Sequence, residues 1–128
     1  MAGTIAADTL THSTAGSLTT DYVVNGTAKA WANLNGTGTI ALRDSLNISS
    51  VTDNSTGNYT FNFESSMADA NYSFVQMNAG AAAYGSYGLY DQMFTAPTSS
   101  SFRTTTRSNG GTAVDIIQVN DIVHGDLA

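Results

Sequence analysis

The sequence predicts an all-β fold, an antiparallel, jelly-roll-like β-sandwich of about eight strands with an extended N-terminal arm. Three observations predict it. Apolar and polar residues alternate through 29–75 with no helical period, the pattern of half-buried strands. Turn-forming clusters punctuate the runs: Asn35-Gly36-Thr37-Gly38, Asp53-Asn54-Ser55-Thr56-Gly57 and Asn109-Gly110-Gly111. The last run, 112–124, is dense in β-branched residues, with Val114, Ile116, Ile117, Val119, Ile122 and Val123.

Residues 1–26 hold few large apolar groups (Ile5, Leu10, Leu18, Tyr22, Val23 and Val24), spaced by Thr, Ser, Ala and Gly. Such a segment cannot form a core alone. It is expected to be an anchoring or oligomerisation arm against another subunit, or else to fold back on its own domain. Residues 27–128 are expected to form the sandwich.

The first strand, about 27–34, puts Ala28, Ala30, Ala32 and Leu34 on one face and Lys29, Trp31 and Asn33 on the other. A second, 38–43, turns Ile40 and Leu42 inward, and a third, 45–51, turns Leu46 and Ile48 inward. The fourth, 58–63, alternates cleanly, with Tyr59, Phe61 and Phe63 opposite Asn58, Thr60 and Asn62. Trp31, Ile48, Tyr59, Phe61 and Phe63 are the expected core. The fifth, 71–78, sets Tyr72 and Phe74 against Val75 and Met77. With both faces partly apolar, that strand is expected to be central or to face a partner. A glycine-rich loop AGAAAYGSYGLY begins at residue 79. A strand near 89–95 follows it, then a hairpin of 101–107 with 112–124.

Composition narrows the function. At 128 residues the chain fits one domain, able to bury roughly two-thirds of its unfolded surface. Charged residues are 11%, against about 25% in ordinary globular proteins. A surface of hydroxyls and amides suits packing among copies more than free solution. Four basic residues (Lys29, Arg43, Arg103 and Arg107) under a net charge of −6 argue against nucleic acid. There is no cysteine, hence no disulfide or thiol chemistry. No run of about 18 apolar residues predicts membrane insertion, and the N-terminus lacks the basic and apolar regions of a signal peptide. The six Asn-x-Ser/Thr sequons, at Asn25, Asn35, Asn47, Asn54, Asn58 and Asn71, are read as strand and turn residues.

Catalytic signatures are missing. Tyr84-Gly85-Ser86-Tyr87-Gly88 lacks the spacing of a nucleophile elbow. His12 and His124 stand far apart with no cysteine, so no zinc site is expected. His124 reads as a strand-end histidine, or as one of a ring at a symmetry axis. Asp53 and Asn54 lack the ligand spacing of a calcium loop, and nothing joins Glu64 to Asp69 as a glycosidase pair. No enzyme activity, cofactor or metal is expected. Tyr84, Tyr87 and Tyr90, among glycines and without charge, are the candidate contact to a receptor, either a neutral glycan or a protein. The competing reading packs them as a lid on the sandwich or at a subunit contact.

The stretch KAWANLNGTGTIALRDSLNISSVTDNSTGNYTFNF, with MADANYSF, resembles a module repeated in virion structural proteins of marine tailed phages. The closing IVHGDLA and the opening TLTHSTAGSLTTDYVVNG resemble that family's ending and arm, and 79–112 resembles it least. The resemblance implies a non-enzymatic tail or neck fibre, knob or head-decoration subunit. It implies a homotrimer that contacts other virion proteins, is localised to the virion and is assembled in the host bacterial cytoplasm. The alternative is a lectin-like adhesin contacting host-surface glycans.

Overall fold

The computed structural model describes residues 3, 6–79, 95–108 and 110–128. Among these the chain forms nine strands and one helix. They run β1 (Thr9–His12), β2 (Gly16–Thr19), α1 (Thr20–Gly26), β3 (Ala30–Asn35), β4 (Ala41–Leu46), β5 (Ile48–Ser55), β6 (Asn58–Phe63), β7 (Ser73–Ala79), β8 (Ser101–Thr105) and β9 (Gln118–His124). The fold is all-β and antiparallel. One sheet has the order β4-β3-β9-β7, the second β5-β6-β8, and β1 and β2 pair as a separate hairpin.

The core lies between the two larger sheets. The four-stranded sheet contributes Ala30, Ala32, Leu34, Val119 and Val123, and the three-stranded sheet contributes Ile48, Tyr59, Phe61, Phe63 and Phe102. The small alanines of β3 leave room for the rings. Phe61 stacks on Phe102 with centroids 5.0 Å apart and planes 6° from parallel. Phe74 of the first sheet meets the same Phe102 at 5.6 Å, linking the layers. Full burial of each such ring is worth about 1.5–3 kcal/mol.

Two corners explain the topology. Between β4 and β5 the chain changes sheet at Asn47, whose φ of 55° is left-handed. Its side chain holds the corner, donating to Ser65 O at 3.0 Å and accepting from Ser65 N at 2.7 Å. Between β5 and β6, Ser55 pairs with Asn58, so the turn is only Thr56-Gly57. Gly57 has φ 62°, and a Cβ there would meet Thr106 O at 2.5 Å and Val114 O at 2.6 Å, so both conformation and space require glycine.

Four expectations are corrected. Trp31 is not a core residue: β3 turns its alanines and Leu34 inward, so alternation leaves Trp31 half-buried on the outer face. Leu46 also faces outward, as the last residue of β4, because the corner at Asn47 separates it from Ile48. Residues 112–117 are not strand. Val114 N donates to Thr106 O at 3.1 Å, while Ile116 O accepts from Gly36 N at 3.0 Å, so this backbone crosses between sheets instead of extending a ladder. Residues 6–26 are not extended but form the β1–β2 hairpin and α1. The strand expected over 89–95 falls, save Thr95, outside the described residues.

Candidate assembly surface

The two outer faces of the sandwich differ in chemistry. On the three-stranded sheet the outward residues are Ser50, Thr52, Thr60, Asn62 and Arg103, tied by bonds such as Asn62 Nδ2 to Ser50 Oγ at 3.1 Å. That face is well suited to water. On the four-stranded sheet, strand register aligns Leu46, Trp31, Ile122 and Val75 in one row across all four strands. Met77 extends the apolar band along β7. Val75 is 61% exposed and Met77 71%. Contiguous apolar patches of this kind mark contact surfaces, whereas scattered apolar residues do not.

A polar row borders the band. Asn33 Nδ2 donates to Asn120 Oδ1 at 2.8 Å, and Arg43 Nη1 donates to Asn33 Oδ1 at 3.2 Å. Asp44 turns its carboxylate to its own strand, accepting from Ser45 N at 2.9 Å. Arg43 and Asp44 offset each other on β4. β7, expected to be central or to face a partner, stands at the end of the strand order with its outer face uncovered.

Buried tyrosines lock the sandwich beneath this surface. The Tyr59 hydroxyl lies 3.0 Å from Gly36 O and 2.9 Å from Asp115 Oδ1, which also accepts from Gly57 N at 2.6 Å. Asp115 thus joins two turns and a core ring. Burial, then the Asp115 carboxylate, pushes the Tyr59 hydroxyl far above its ordinary value. Tyr72 shares its proton between Thr98 O and Ser101 O, each at 3.0 Å, and burial pushes it up to about 12. Both rings stay neutral pins through the ordinary pH range. The sequence reading missed Asp115; its signal was a single acid inside the apolar run TAVDIIQV.

Of the sequence candidates, Ile48, Tyr59, Phe61 and Phe63 lie in the buried cluster and Trp31 on the outer face. Tyr84, Tyr87 and Tyr90 lie outside the described residues. His12 Nδ1 accepts from Ala15 N at 3.0 Å inside the hairpin turn, and His124 ends β9 beside Ser73. Asp53 lies within β5, paired with Tyr59 of β6, rather than in a loop. Exposed Asp69 accepts from Asn71 N at 2.7 Å, which holds its carboxyl below the usual range. Among the described residues no group of three or more His, Asp or Glu side chains could hold a metal ion. Compared with known proteins, the chain matches no family model, no curated protein and no solved structure.

Proposed function

We propose that the chain is a non-enzymatic structural subunit that assembles with copies of itself, as a trimer, into a phage particle as a fibre, knob or decoration protein. The observation that carries self-assembly is the outer face of the four-stranded sheet, an apolar row across four strands on a chain with 11% charged residues. The opposite outer face supplies the contrast, being hydroxyl and amide throughout apart from Arg103. The phage setting rests on the resemblance of residues 9–75 and 122–128 to virion proteins. The adhesin alternative rests on Tyr84, Tyr87 and Tyr90, outside the described residues, so the sheet face is the better supported surface.

Light scattering and native mass spectrometry of the purified chain test the first part. A trimer is expected, and a monomer across micromolar concentrations would end the proposal. Antibody labelling of intact particles tests the second. Labelled fibres, knobs or capsid are expected, and unlabelled particles would remove the virion role while leaving self-assembly standing.

A further inference from the structure

The arm presents a second uncovered apolar surface. Every described residue from Ala6 to Thr27 is exposed except half-buried Thr20, and α1 buries nothing. Leu10 and Leu18 are cross-strand partners and so share one face of the hairpin. Tyr22, Val23 and Val24 stand out from α1, Tyr22 at 70% exposure. An isolated two-stranded hairpin is marginal in water, and so is a helix well short of about 12 residues. The seven residues of α1 and the paired four-residue strands therefore need a surface to lie on.

Their own body does not provide it. Lys29 Nζ donates to Val24 O and, at 3.0 Å, to Thr27 O, tying the last turn of α1 to the start of β3. Asn25 lines one side of an open cleft whose other walls include Asp69, Asn71, Tyr72 and Asp126. The lysine bonds fix the last turn of α1 at the start of β3 while the arm's apolar groups point into solvent.

We infer that the arm of one copy lies on the outer face of the four-stranded sheet of a second copy, covering Leu46, Trp31, Ile122, Val75 and Met77. This deepens the self-assembly reading and rests on it. Area favours the arrangement over sheet against sheet. Four strands spaced about 4.8 Å apart, six residues long at about 3.3 Å each, offer a face of roughly 400 Å². Stable interfaces bury about 800 Å² per partner. Two sheet faces pressed together reach about half of that. A copy in a ring that donates one arm and receives another covers a sheet face and an arm of similar footprint, about twice what a copy covers in a sheet-on-sheet pair, shared between two contacts. Charge permits the contact. The arm carries Asp8 and Asp21 with no Lys or Arg, and it meets a sheet where Arg43 and Asp44 offset each other on β4. Arm and sheet are different surfaces, so the contact is heterologous and is satisfied in a closed ring.

The chain has no cysteine, so introduced thiols report this contact without background. A tagged Leu18→Cys chain and an untagged Val75→Cys chain, co-expressed and mildly oxidised, should give a tagged–untagged disulfide pair at twice the 13.3 kDa chain mass plus one tag. Both positions are exposed and carry little folding risk. Val75→Cys homodimers alone would place sheet on sheet and overturn the inference. A chain carrying both cysteines that closes within itself, as a 13.3 kDa species of altered mobility, would place the arm on its own sheet and overturn it as well. Absence of any inter-chain pair in chains that light scattering finds oligomeric rejects the arm contact alone. Monomers in light scattering reject the contact and self-assembly together.

Discussion

At the scale of single residues, the core and the outer row make opposite predictions. Phe61 is fully buried and stacked on Phe102. Its replacement by Ala removes a ring from a packed layer, a change that costs about 3–5 kcal/mol against a typical stability of about 5–15 kcal/mol. Thermal melting of Phe61→Ala should show a large fall, whereas Trp31→Ala should lower the melting of the monomer much less. Equal losses would mean that Trp31 packs inside. The tyrosine pins give a pH signature. Tyr72 is raised from 10.0 to about 12 and Tyr59 further, so the fold favours the neutral forms. Their contribution is complete below about pH 10. It declines as pH climbs from there through the folded-state values, because the unfolded chain ionises first. Urea titrations at pH 8, 10 and 11 should show stability falling only in the upper part of that range. Tyr72→Phe should flatten the decline, and an unchanged slope would show that Tyr72 does not carry it.

At the scale of elements, the sequence was legible where one face of a strand is buried and the other wet. Strand 58–63 has the bounds that its alternation predicted, since Tyr59, Phe61 and Phe63 leave only one register. Legibility failed where the backbone served two sheets. Val114 to Ile117 read as strand by β-branching, yet their polar groups serve Thr106 on one side and Gly36 on the other. The helix was missed because seven residues hold no full apolar period and Val23-Val24 reads as strand; its signals were Thr19 before it, Asp21 in the first turn and Gly26 at the end. The candidate surface was half legible. Val75 and Met77 were recognised as a second apolar face, but Leu46 was turned inward because Asn47 was not read as a corner. With no residue of α1 buried, the body should fold without the arm. A chain lacking residues 1–26 should keep a β-rich circular dichroism spectrum and a cooperative melt, yet lose oligomeric mass in light scattering. Loss of the cooperative melt would make the arm part of the core.

At the scale of the whole molecule, the proposed assembly is separable from folding, because the outer face of the four-stranded sheet adds little to the monomer's core. Val75 and Met77 are its most exposed members, so a charge at either position meets water in the monomer and desolvation in the oligomer. An unpaired buried charge is strongly unfavourable. The double variant Val75→Asp, Met77→Asp should therefore sediment as a monomer where the proposal expects the parent chain to sediment as a trimer, with an unchanged far-ultraviolet spectrum. Melting supplies an independent reading. Association couples stability to concentration by mass action, so the parent's melting temperature should rise with protein concentration and the variant's should not. Concentration-independent melting in both would mean that the apolar row across β4, β3, β9 and β7 is not an assembly surface. Concentration dependence retained in the variant would move the contact to another face. The row can hold copies together only if both readings change with these two side chains.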